Sequence, residues 1–122
     1  MSRIYYTNEH EWLNVAGDVA TIGITDYAQE QLGDIVFIEL PEVGQSLEYG
    51  DEGVVIESIK AASDVYAPAS GKVVEINSIL SHKPALVNSD AESDGWLYKI
   101  QLTNKHELEK LMEWEAYKAL IG

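Results

Sequence analysis

The 122-residue chain has no cysteine, which excludes disulfide frameworks and cysteine-ligated metal sites. It has little positive charge: eight Lys and Arg stand against 21 Asp and Glu, for a net charge of −13. A phosphate backbone is gripped by Lys and Arg, so nucleic acid is excluded as a partner. No apolar run is long enough to cross a bilayer, so no membrane role is expected. Nothing resembles a signal or transit peptide, because Met1-Ser2-Arg3-Ile4-Tyr5 passes almost at once into His10-Glu11-Trp12. The three histidines, His10, His82 and His106, lack metal-ligand spacing, and no Gly-rich phosphate loop occurs. The surplus of carboxylates gives solubility and suits docking to basic partner surfaces.

The sequence is 46% hydrophobic and of a length that reads as one domain, residues 1–122, with a modest core. Alternation and β-branched residues dominate the middle of the chain. They predict strands at Glu11-Val15, Val19-Ile24, Ile35-Leu40, Val54-Ser58, Asp64-Ala67, Gly71-Ile76 and Trp96-Leu102. The fold class is therefore mainly β. A short helix is expected from a Thr25 or Asp26 cap through Leu32, closed by Gly33. A longer C-terminal helix is expected from Asn104, with Glu107 completing a capping box. Leu108, Leu111, Met112 and Leu120 should face the core from that helix. Gly17-x-Val19-x-x-Ile22 and Gly71-x-Val73-x-x-Ile76 share a pattern that hints at two similar halves.

Lys60 is the residue that the sequence singles out. Val54-Val55-Ile56 runs before it and Val65-Tyr66-Ala67 after it, stopped by Pro68, so the segment reads as a β-hairpin. Ala61, Ala62 and Ser63 beside the lysine have little bulk, leaving the amine open to another protein. Glu57 and Asp64 are near in sequence and favour the charged amine. A solvated turn offers no desolvation, so Lys60 suits acylation better than Schiff-base catalysis.

Glu57-Ser58-Ile59-Lys60-Ala61-Ala62-Ser63-Asp64 through Gly71 resembles the lipoyl-lysine hairpin of the glycine cleavage H-protein family. Other blocks follow that family in order. They are His10-Glu11-Trp12, Ala20 through Asp26, Leu32-Gly33-Asp34 through Pro41, Pro84-Ala85-Leu86-Val87-Asn88 and Gly95-Trp96-Leu97. The resemblance implies a lipoyl/biotinyl-type barrel-sandwich hybrid with lipoate attached covalently at Lys60. It implies a non-catalytic carrier in one-carbon metabolism, moving the aminomethyl group of decarboxylated glycine between enzymes. Those partners would be a pyridoxal-phosphate glycine decarboxylase, a tetrahydrofolate-dependent aminomethyltransferase, a dihydrolipoamide dehydrogenase and a lipoate-attaching enzyme. A monomer is expected, in the bacterial cytoplasm or as a mature mitochondrial matrix form. The resemblance also implies Glu11, and after it Asp64, as shelter for the loaded arm. The lack of cysteine would then leave no internal thiol to attack a dithiolane. Two departures stand out: Asp90-Ala91-Glu92-Ser93-Asp94 replaces the family's usual Pro-Tyr-Gly stretch, and Gln31 stands where some members have histidine.

Three other readings remain. A biotin carrier usually has Met on both sides of its lysine, and Ile59 and Ala61 stand here. A lipoyl domain of a 2-oxoacid dehydrogenase would be shorter and tethered to a catalytic domain. An unmodified acidic, β-rich adaptor module is the alternative from a different class. Asp90 through Gly95 imitates the start of a calcium loop, but Gln101 occupies the place of the bidentate glutamate, which argues against calcium. Trp12 and Trp96 read as core and Trp114 as partly exposed.

Overall fold

The structure is a computed structural model and describes residues 2–122. Among the described residues, nine strands form two antiparallel sheets. They are β1 (Ser2–Tyr6), β2 (Glu11–Ala16), β3 (Val19–Ile24), β4 (Ile35–Glu39), β5 (Ser46–Leu47), β6 (Glu52–Ser58), β7 (Ala62–Tyr66), β8 (Gly71–Ile76) and β9 (Tyr98–Leu102). The larger sheet runs β1-β2-β3-β9-β8-β5, and the smaller runs β4-β6-β7. The sheets remain separate, each with two edges, and the mainly β class expected from the sequence holds. The predicted strands are all present. The pairing strand β1, the two-residue β5 and a short helix at Leu86–Asp90 were not foreseen, being too short or too irregular to show a period.

Inward residues of the two sheets make the core. Val54 and Ile56 on β6 meet Leu13, Ile22, Val73, Tyr98 and Ile100 of the larger sheet, all essentially without solvent contact. The repeated Gly-x-Val-x-x-Ile strands, β3 and β8, flank β9 on opposite sides. Ile22 and Ile76, equivalent in the two copies, both register with Tyr98. This is the structural content of the internal similarity.

Helix α1 (Asp26–Leu32) forms as expected: the Thr25 hydroxyl accepts from the Ala28 N–H at 3.2 Å, and Gly33 ends it. Helix α2 is Leu86–Asp90 and α3 is Trp114–Ile121. The single C-terminal helix expected from Asn104 is instead a 3₁₀ segment, Lys105–Lys110, an extended break, and α3. Two contacts explain the break. The Asn104 side chain does accept a cap hydrogen bond, but from the His106 N–H, while the Glu107 carboxylate accepts from the Ser70 N–H and hydroxyl at 2.7 and 2.8 Å instead of folding back. Met112 then exchanges backbone hydrogen bonds with Tyr6 at 2.7 and 2.8 Å, which a helical Met112 would not do. Leu108 and Leu111 do pack on the core and Met112 on a second cluster, but Leu120 is half exposed rather than core-facing.

That second cluster, Tyr6, Trp12 and Tyr117, fastens α3 to the larger sheet. Tyr6 and Tyr117 stack at 4.8 Å with 10° between planes. Trp12 lies flat over Gly23, where an added β-carbon would come within 2.6 Å of the indole, so only glycine fits. Trp12 is buried, Trp96 only partly so, and Trp114 is 45% exposed.

Candidate functional site

Strands β6 and β7 pair as Glu57↔Ala62, Ile56↔Ser63 and Val55↔Asp64, leaving Ile59, Lys60 and Ala61 as the turn. Ser58 shapes it. Its N–H donates to the Ala61 carbonyl at 2.9 Å, and its hydroxyl oxygen accepts from the Lys60 and Ala61 N–H groups at 3.1 and 3.3 Å. A serine hydroxyl taking turn N–H groups is a local device that needs no distant partner. The register puts Glu57 and Asp64 diagonally across the two strands on one face. Lys60 is exposed, and among the described residues its amine has no ion-pair or hydrogen-bond partner.

The turn is held from outside by one hydrogen bond, from the Ile59 N–H to the Asp34 carbonyl at 3.0 Å. Asp34 belongs to the corner between α1 and β4, and Asn88 of α2 fixes that corner. The Asn88 amide donates to the Gly33 carbonyl at 2.9 Å and to Gln29 Oε1 at 3.0 Å, and its oxygen accepts from the Ile35 N–H at 2.9 Å. Gly33 sits at φ +79°, a conformation that favours glycine. It also makes room for the lysine: a β-carbon on Gly33 would lie 3.2 Å from Lys60 Cε.

A cleft of about 410 Å³ opens beside this corner, within the range of roughly 300–1,000 Å³ usual for small-molecule sites. His10 and Glu11 form one wall, Tyr27, Gln31 and Leu32 of α1 another, and Ser63 and Asp64 of β7 a third. Leu32 precedes Gly33, so the end of the Lys60 side chain lies beside a residue next to the cleft wall. The structure thus brings Glu11 and Asp64 to one cleft and lays the end of the Lys60 side chain against Gly33, next to the cleft residue Leu32.

Glu11 is a buried carboxyl, 3% exposed. Its oxygens accept from the Thr7 hydroxyl and from the Tyr66 N–H, each at 3.0 Å. Burial outweighs these two hydrogen bonds and, with Glu9 nearby, lifts its pKa to about 7. A group poised there holds or gives up a proton near neutral pH. Asp64 is exposed.

His10 is the one non-glycine residue with positive φ among the described residues, at +69°. Its ring packs on Tyr27 at 4.7 Å, and its Nδ1 shares a hydrogen bond with the Tyr117 hydroxyl at 2.9 Å. The same hydroxyl meets Thr25 Oγ1 at 2.7 Å. Burial is the main cause that raises the Tyr117 pKa, so the phenol stays protonated. Thr7, Asn88 and Tyr117 were missed as site-shaping residues by the sequence reading. Asn88 lies in a quoted motif block, but its three partners are dozens of residues away, and Tyr117 carried no local signal.

The departing stretch supports this architecture. The Ala91 carbonyl accepts from the Trp12 indole at 3.1 Å, and Glu92 accepts from the Asp26 N–H at 2.8 Å, capping α1. Gln31 is exposed on the cleft wall.

Comparison with known proteins fits this arrangement. A profile of the glycine cleavage H-protein family matches residues 4–122. The chain belongs to the glycine cleavage H-protein family. It is 57% identical over 122 residues to the glycine cleavage system H protein of Bartonella quintana (strain Toulouse), covering all of both chains. It is 51% identical over 113 residues to that of Thermotoga maritima (strain ATCC 43589 / DSM 3109 / JCM 10099 / NBRC 100826 / MSB8), covering 93% of this chain and 91% of the relative. The crystal structure of a glycine cleavage system H protein from Mycobacterium marinum superposes with a TM-score of 0.90 at 38% identity, over 98% of this chain and 96% of that one. Family membership favours the lipoyl carrier over the unmodified adaptor, and H proteins are carriers, not catalysts.

Proposed function

We propose that Lys60 is the lipoyl-attachment residue and that the whole chain acts as one carrier domain of the glycine cleavage system. The carrying observation is the exposed Lys60 amine, without a partner among the described residues, on a turn shaped by Ser58 and tied to Asp34, its side-chain end lying against Gly33 next to the cleft residue Leu32. The residues suit the group: the amine is exposed for acylation, and Gly33 leaves space along the stem. Lipoate bound there supplies a redox-active disulfide on a long arm that accepts the aminomethyl group of decarboxylated glycine. The chain itself fixes the root of that arm and offers the cleft as shelter from water. Glu11 is a lining residue with its pKa raised to about 7 and its oxygens engaged by Thr7 and the Tyr66 N–H, and Asp64 is an exposed lining residue. Tethering raises the effective concentration of the arm at each partner site.

The partners in this reading are a lipoate-attaching enzyme, a pyridoxal-phosphate glycine decarboxylase, a tetrahydrofolate-dependent aminomethyltransferase and a dihydrolipoamide dehydrogenase. Acidic residues at the cleft, Glu9 and Asp64 among them, suit basic mouths on those enzymes. Substituting Lys60→Arg keeps the charge and removes the acylable amine. Glycine-dependent one-carbon transfer in a reconstituted system is expected to vanish with this variant; full transfer would refute the assignment.

A further inference from the structure

The Tyr117 hydroxyl occupies a position that the carrier role does not by itself explain. It lies on α3, and no residue of α3 lines the cleft. Yet it bonds to His10, a cleft residue just ahead of β2, and to Thr25, the cap of the helix α1 that forms a second wall. The walls are already joined at their roots by the Thr25 N–H donating to the His10 carbonyl at 3.0 Å. Tyr117 adds a second tie through side chains. Thr25 Oγ1 passes the link on to the Ala28 N–H at 3.2 Å, and Ala28 lines the cleft. His10 holds its ring in place from a left-handed backbone, a conformation that persists where surrounding contacts over-determine it.

We infer that Tyr117 is a positioning residue for the arm: its hydroxyl latches the β2 and α1 walls together and sets the width of the cleft beside Lys60. The inference rests on the cleft being the shelter of the loaded arm. Two proton arrangements satisfy the chain of oxygens and nitrogen. In one, Tyr117 donates to His10 Nδ1 and receives from Thr25; in the other, His10 Nδ1–H donates to Tyr117, which donates to Thr25. Either way the three groups act as one unit, and through it α3 is hydrogen-bonded to the cleft residue His10. The ring of Tyr117, stacked on Tyr6 and 1% exposed, is the packing part, so Tyr117→Phe removes the latch and keeps the stack.

The test uses the full chain, lipoylated, reduced, and loaded chemically with formaldehyde and ammonia. Dithiol, formaldehyde and ammonia condense to the aminomethyl thioether with loss of one water, and hydrolysis reverses this. Four proteins are compared: the parent, Tyr117→Phe, Glu11→Gln, and Trp114→Leu, which loosens the aromatic packing around Tyr117 while keeping all three linked groups. Tyr117→Phe is expected to shorten the lifetime of the loaded arm about fivefold, the equivalent of one net hydrogen bond. Trp114→Leu is expected to leave it unchanged. The imidazole ¹⁵N shifts of His10 in the unloaded chain give an independent reading, with the Nδ1 signal moving in Tyr117→Phe and staying in Trp114→Leu. An unmoved Nδ1 signal, or equal lifetimes for parent and Tyr117→Phe while Glu11→Gln is shortened, overturns the latch alone. Equal shortening by Trp114→Leu and Tyr117→Phe also overturns it, by reducing the effect to packing. If Glu11→Gln too matches the parent, the sheltering reading falls and the latch falls with it.

Discussion

The turn that presents Lys60 and the cleft beside it are built on opposite plans. The turn is local: Ser58, Lys60 and Ala61 satisfy one another within four residues, and only the Ile59–Asp34 hydrogen bond reaches elsewhere. The cleft is assembled from three separate stretches of chain and tied by Asn88 and Tyr117, whose partners lie 53 to 107 residues away. An exposed turn gives an amine that any partner can reach. A cleft whose walls are tied by long-range contacts gives a fixed, partly enclosed space. A carrier needs both: its arm must be accessible when it is loaded and unloaded, and protected between.

That contrast has measurable consequences. The largest effect belongs to the frame beneath both regions. Ile56, fully buried on β6 between β4 and β7, should lose about 2–5 kcal/mol of stability as Ile56→Ala, read by chemical denaturation. A loss well under 1 kcal/mol would mean that the hairpin stands without its core.

Glu11 comes next and sharpens the cleft side. Its folded pKa, about 7, exceeds its ordinary value of 4.5, so the folded state binds the extra proton between those limits. Its contribution to stability is therefore fully present below about 4.5 and is lost as pH rises through 7. The difference amounts to about 3 kcal/mol. Thermal unfolding across that window should show the parent losing stability relative to Glu11→Gln as pH rises. A parallel pair of curves would mean that the carboxyl is not held in a desolvated place.

The smallest effect falls on the turn. Ser58→Ala removes the hydroxyl that takes two turn N–H groups, at a cost of about 0.5–1.5 kcal/mol. Lipoylation of Lys60 should persist, because the strand register and the Ile59–Asp34 bond remain. Complete loss of attachment would show the turn to depend on Ser58 far more than its local geometry implies.

Legibility in the sequence follows the same division. Seven strands, α1 with its Thr25 cap and the Lys60 hairpin could be read directly, because alternation, capping and turn chemistry act between neighbours. The C-terminal segment was misjudged for the opposite reason. A capping-box pattern at Asn104 and Glu107 was overridden when Ser70 took the glutamate and Tyr6 took the Met112 backbone. Glu11 and Asp64 were named through resemblance, not by their own spacing, and the structure brings both to the cleft. Asn88 lies in a block that follows the family but gave no sign of its partners, and Tyr117 gave none of its work, since a hydrogen bond spanning 92 residues leaves no period to detect.

The most direct test of the central claim is site-resolved mass spectrometry of the chain after incubation with a lipoate-attaching enzyme, lipoate and ATP. The account predicts one lipoyl increment, on the peptide containing Lys60, and none on Lys60→Arg. An increment on any other lysine, or an unmodified Lys60 under conditions where a known lipoyl domain is fully loaded, would contradict it.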